Sequence, residues 1–174
     1  MQEVILDQVD PDIAFRKAAE NNKRLAEPLP RGRASEGFEK IRLAVEKNPG
    51  GRPKAFMLTY GNPAIRLARS QFSCNFFACA GYEVIDNPGF VTIPEGVDAA
   101  LQAKADIIVV CSSDEEYVVI APEVASLAGG KAIVVVAGAP ASMEELKQKG
   151  ITEFIHLRSN VLETLSHFNG KLGI

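Results

Sequence analysis

The chain has 174 residues, of which 47% are hydrophobic and 24% charged, with a formal net charge of -3. These figures describe a globular domain of ordinary size plus an extension. They argue against a nucleic-acid partner, which needs a concentrated positive face; Arg31, Arg33, Lys40 and Arg42 read as a solvated helix face. No run of about 18 apolar residues suggests a membrane span, the N-terminus has no signal-peptide pattern, and three cysteines do not make a disulfide framework, so a reducing cytoplasm is expected.

In chain order, Asp10-Pro11 reads as the start of a helix over Asp12 to Glu27, broken by Pro28, Pro30 and Gly32. Ser35 is placed to cap a second helix with Phe38, Ile41 and Val45 on one face. Asn48 to Gly51 reads as a boundary, which gives a helical linker over 1–51 and a second domain over 52–174. There, short apolar runs alternate with helical stretches. Ala55 to Thr59 is a strand, and Ile65, Ala68, Phe72, Phe76 and Cys79 fall on one helix face, closed by Gly81. Tyr82 to Ile85 is a strand, Pro94 to Lys104 a helix, and Asp106 to Cys111 the strongest strand. Tyr117 to Leu127 reads as helical, although Pro122 would also suit the first turn of a helix starting near Ala121. Lys131 to Ala137 is a strand. Ser142 is expected to cap a helix ending at Gly150, with Glu145 as capping-box partner. Thr152 to Leu157 is the fifth strand, and Val161, Leu165, Phe168 and Leu172 mark the closing helix. Five strands alternating with helices imply a doubly wound parallel α/β sheet of flavodoxin-like order with an N-terminal helical extension.

In such sheets the ligand crevice lies beyond the C-terminal ends of the strands. Tyr60 to Ala64, Cys111 to Glu116, Gly138 to Pro140, and His156, Arg158 and Ser159 therefore line it. Gly61-Asn62-Pro63 offers too few donors for a phosphate loop. Asp114 sits late for a phospho-acceptor, and no lysine follows strand five. Asp114-Glu115-Glu116 is either a carboxylate cluster or a charged helix N-terminus, with the second reading preferred. Cys74 and Cys79 point roughly 140° apart on a helix and cannot chelate together. Cys111 closes a core strand and reads as inert. His167 is assigned to packing, while His156 is a lone histidine at the crevice edge. No catalytic or metal-ligating set emerges.

The segments Leu58 to Asn62, Ala68 to Asp86 (ARSQFSCNFFACAGYEVID), Cys111 to Tyr117 (CSSDEEY) and Phe154 to Ile174 resemble the small subunit of heterodimeric methylmalonyl-CoA mutase, and Ala34 to Asn48 is similar to the end of its connector. The resemblance implies a cobalamin-binding-domain-like fold at the C-terminal end of a subunit with a preceding barrel. It also implies a complex that interconverts methylmalonyl-CoA and succinyl-CoA with adenosylcobalamin. In the family's cofactor-binding subunit, Asp-x-His-x-x-Gly in the first strand-to-helix loop supplies the cobalt ligand, and the aspartate orients its imidazole. The matching positions here are Ala64, Arg66 and Arg69. An arginine has no lone pair for cobalt. Ser112 and Ser113 match serines along the nucleotide tail, and Gly138 a glycine after strand four. With Gly61 and Asn62 they make a vestigial crevice. The expectation is a structural domain that binds no cofactor, pairs with a large catalytic subunit carrying adenosylcobalamin, and contacts neither nucleic acid nor membrane. The alternatives are an active cobalamin binder or a free-standing adaptor or signalling domain; absence of the histidine does not decide the fold, which depends on the core.

Overall fold

A computed structural model describes Arg33 and residues 35–174. The helix expected over Asp12 to Glu27 lies outside the described residues. Five strands, β1 (Lys54–Thr59), β2 (Glu83–Ile85), β3 (Ile107–Cys111), β4 (Ile133–Ala137) and β5 (Glu153–Ile155), form one sheet. Its order is β2-β1-β3-β4-β5 and every pairing is parallel, which is the flavodoxin-like order expected. Six helices surround it: α1 (Glu36–Lys47), α2 (Pro63–Ala78), α3 (Ile93–Gln102), α4 (Tyr117–Ala128), α5 (Met143–Gln148) and α6 (Val161–Lys171).

Strand side chains alternate between the two sheet faces, and the core divides accordingly. Ala55 and Met57 of β1 join Phe76, Phe77, Tyr82, Leu165 and Phe168 on one face. Phe56 and Leu58 join Ile93, Val97, Tyr117, Val124 and Leu146 on the other. Because Ala55 to Leu58 of β1, all of β3 and the end of β4 are covered on both sides, these stretches are apolar without a break.

The compact unit begins at Ala34, ahead of the boundary read at Asn48 to Gly51. Helix α1 buries Ile41 and Val45 in the same cluster as Phe77 and Phe168. Gly37 allows its close approach to α6, since a Cβ there would stand 2.7 Å from Leu162 Cδ2. The helix read as connector is thus packed on the sheet domain.

Three local expectations are corrected. Neither Ser35 nor Ser142 caps its helix through the side chain. Ser35 Oγ donates instead to Glu39, and Ser142 Oγ is buried without a partner. Glu145 accepts from Lys149 one turn on, so no capping box closes. Helix α4, by contrast, starts at Tyr117 as its sequence reads and carries Pro122 inside it, so the alternative start near Ala121 is not taken. Proline removes the N–H that would bond the Val118 carbonyl. That carbonyl is reached instead by Lys149 Nζ at 3.4 Å.

Glu153 of β5 accepts from Lys171 Nζ at 2.6 Å and lies 3.1 Å from His167 Nε2. Burial raises its pKa, but the hydrogen bond and charge of Lys171 outweigh this and the net shift is downward. A depressed folded-state value means stability that is present above about pH 4.3, the unfolded reference, and lost as pH falls through the folded value. Acid unfolding of Glu153→Gln, followed by circular dichroism, is expected to show a shallower pH dependence in that window than the wild type. An unchanged slope would assign the dependence to other carboxylates.

Candidate functional site

The polypeptide between β1 and β3 parts at the point where the strand order reverses, and the loops after β1, β3, β4 and β5 converge there. The first of these is organised by Asn62. Its Oδ1 accepts from the backbone N–H of Ala64 at 3.0 Å and of Ile65 at 3.4 Å, and Pro63 occupies the first helical position. The donors at the start of α2, which could otherwise receive an anion, are therefore partly satisfied from within.

The apolar stripe read on α2 is only partly the buried one: Phe76 is buried and Phe72 packs against the same core. Ser70, Ser73, Phe76 and Phe77 are buried, whereas Ile65, Ala68 and Cys79 are exposed. Apolar residues occur on all sides of this helix, so period alone does not select the inward one. The outcome is a polar inner edge near the crevice, in which Arg66, Arg69, Ser70 and Ser73 follow one another toward the core.

Each of these groups has partners. Arg66 donates to the Gly61 carbonyl at 3.3 Å and to the Pro88 carbonyl at 2.8 Å, joining the loops after β1 and β2. Arg69 pairs with Asp114 at 2.8 Å, and the pair lies against Gly138, where a Cβ would stand 3.2 Å from both Arg69 Nη1 and Asp114 Oδ1. Ser70 donates to Asp86, and Ser73 to the Arg69 carbonyl. Thr59 at the end of β1 donates to Asn87, whose side-chain amide reaches back to the Met57 carbonyl. Ala64 is exposed on the outer surface of the first turn of α2.

After β3, Ser112 Oγ donates to the Glu116 carboxylate and lies 3.1 Å from the Tyr60 carbonyl. Ser113 adds its hydroxyl at 3.1 Å and its backbone N–H at 3.4 Å to the same carboxylate. The Ser112 hydroxyl, and then Ser113, favour the ionised form and outweigh partial burial, so Glu116 titrates below the ordinary glutamate range. Of the three acids in the run, Asp114 is paired with Arg69 and Glu116 is drawn back onto the serines, while Glu115 is exposed. In the sequence Glu116 reads only as part of the acidic run Asp114-Glu115-Glu116; the signal for its contact with the serines is the spacing Ser112-Ser113-x-x-Glu116 immediately ahead of a helix.

Two small hollows and a third, wider one lie at this end of the sheet. The first, of about 190 Å³, is lined by Thr59, Pro63, Arg66, Leu67, Ser70, Asn87 and Pro88. The second, of about 220 Å³, is lined by Arg69, Asp114, Ala139, His156, Leu157 and Arg158. Both fall below the roughly 300 Å³ at which small-molecule pockets ordinarily begin; the third, of about 380 Å³, is an open hollow against Asp114, Glu115, Val118, Ala141 and Ser142. His156 lines the second, but its Nδ1 accepts from the Arg158 N–H at 3.2 Å, which commits one ring nitrogen to its own turn. His167 lies on α6 against Glu153. Cys111 is buried and its thiol is pushed up to about 12 by desolvation, so it is no nucleophile. Cys74 is half-buried, with its pKa raised mainly by burial, and Cys79 is exposed. Among the described residues, no group of three or more His, Cys, Asp or Glu could hold a metal ion, and no helix is long and apolar enough to cross a membrane.

No family model matches the chain. Comparison with characterised proteins finds 60% identity over 148 residues with the methylmalonyl-CoA mutase small subunit of Porphyromonas gingivalis, covering 85% of this chain and 24% of that protein. The methylmalonyl-CoA mutase small subunit of Streptomyces virginiae is 33% identical over 92 residues, 51% of this chain and 15% of its own length. The chain therefore spans about a quarter or less of these relatives.

Proposed function

We propose, for a chain that belongs to the methylmalonyl-CoA mutase small-subunit family over the segment it spans, that this domain is a structural, non-catalytic part of the mutase. In this reading the complex interconverts methylmalonyl-CoA and succinyl-CoA. A large partner subunit, joined in a heterodimer, holds adenosylcobalamin and does the radical chemistry. The present domain follows a barrel in its own subunit and works in the cytoplasm, where its free cysteines stay reduced.

One observation carries the reading. The first strand-to-helix turn, Tyr60 to Arg69, contains no imidazole, and its cationic side chains are engaged with the protein itself. A guanidinium offers cobalt no lone pair. Arg66 bonded to Gly61 and Pro88, and Arg69 paired with Asp114 over Gly138, occupy the groove that a nucleotide tail would need. The residues present do not fit cobalamin, and no chemical step is assigned to them.

Titration of adenosylcobalamin and hydroxocobalamin into the 174-residue chain tests this. The expected visible spectra are those of the free cobalamins at every protein concentration up to hundreds of micromolar. Tight binding with a shifted corrin band would overturn the reading and favour a working cofactor domain.

A further inference from the structure

From the disagreement between this crevice and the cofactor, and resting on the reading just proposed, we infer that Glu116 is the crevice's internal occupant. Its carboxylate, held by the loop after β3, packs against the loop after β1 and fills the space between them.

Three features bear on this together. The carboxylate takes every donor that Ser112 and Ser113 present on that side: two hydroxyls and one backbone N–H. It lies against the bare backbone of Gly61 on the opposite loop, where a Cβ would be 2.3 Å from Oε2 and 2.7 Å from Oε1. Gly61 has φ +75°, a left-handed conformation that glycine adopts without a steric penalty. The glycine thus serves both the turn and the close approach. Finally, Ser112 Oγ, whose one proton goes to Glu116, lies 3.1 Å from the Tyr60 carbonyl, so the two loops meet closely at this point.

The consequence is selectivity by exclusion. A negative charge satisfied by the crevice's own donors leaves them nothing to offer an anionic or acceptor-rich ligand, and repels such a ligand electrostatically. The closed crevice works as a brace between the central strands, which suits a domain whose role is to hold shape.

Amide hydrogen exchange on the ligand-free 174-residue chain tests the latch. Glu116→Ala is expected to speed exchange at the Ser113 amide, which donates to it, by about tenfold, the scale of losing one charged hydrogen-bond acceptor, and to quicken the Tyr60 amide, which bonds the Cys111 carbonyl beside the packed loops. The isosteric Glu116→Gln, which keeps the fold and one acceptor oxygen, is expected to give a smaller acceleration at the same two amides. Glu115→Ala, at the exposed neighbour, is expected to leave both unchanged. If the Glu116 variants match the Glu115 control, the latch is disproved, and Glu116→Gln decides the matter should the alanine variant fail to fold. No cobalamin enters this experiment, so its failure is distinct from failure of the cofactor titration.

Discussion

Replacing Phe77 with alanine is expected to lower unfolding free energy by about 3–5 kcal/mol, the range for removing a fully buried aromatic ring. Phe77 is fully buried and sits at the meeting point of four rings. Its centroid lies 5.5 Å from Phe168, 5.6 Å from Phe76 and 5.7 Å from Tyr82. These contacts join α2 to α6 and to the start of β2, and the cluster also receives Ile41 and Val45 of α1. A hole there removes dispersion contacts from several elements at once, and the surrounding helices cannot all move in to refill it. Since whole domains are stable by only about 5–15 kcal/mol, the variant should be near the edge of folding at 37 °C. Urea unfolding followed by circular dichroism is the measurement. A midpoint within error of the wild type would mean that the cluster relaxes freely. Phe77→Leu, which keeps much of the volume, should cost less than about 1.5 kcal/mol.

The same cluster shows what sequence could and could not disclose. Strand runs such as Ile107 to Cys111 are short, apolar and bounded by turns, and their number and alternation with helices determine the parallel order through handedness. Helix α1 was harder to place. Ile41 and Val45 announce an inward face, but not which partner that face meets, and here the partner is the sheet domain itself. For α2 the stripe from Ile65 to Cys79 holds only in part: Phe72 and Phe76 face the core, Ile65, Ala68 and Cys79 are exposed, and the small Ser70 and Ser73 are buried instead.

The site was legible as a location and less so as a set of contacts. Topology alone places Gly61, Asn62, Ser112, Ser113 and Gly138 around one crevice. It does not say that Asn62 caps α2, that Arg69 reaches Asp114 across 45 positions, or that Glu116 folds back onto the serines. A carboxylate four residues beyond a serine is equally at home pointing to solvent. The choice is made by the Gly61 backbone approaching from another strand, which is long-range information.

Tyr117→Phe is expected to cost about 2 kcal/mol, more than its single missing oxygen suggests. The phenol is fully buried, donates to the Ala137 carbonyl at 2.7 Å and accepts from the Ser112 N–H at 3.2 Å. It ties the end of β3 to the end of β4 just below the loop that holds Ser113 and Glu116. Burial pushes the phenol well above its ordinary pKa, so it stays neutral and keeps its proton for Ala137 at all ordinary pH values. Phenylalanine fills the same space, so no cavity forms and the whole loss is polar. One buried donor and one buried acceptor lose their partner together, and the desolvation of each is no longer repaid. A domain of this size should then melt lower by roughly 4–8 °C, with the urea m-value unchanged because the surface exposed on unfolding is the same. A shift under about 1 °C would mean that water reaches both groups. Loosening at this point should also reach the crevice, because Ser112 carries its N–H to Tyr117 and its hydroxyl to Glu116. Amide exchange at Ser113 is therefore expected to quicken in Tyr117→Phe while Glu116 itself is intact, placing the phenol beneath the latch as its support.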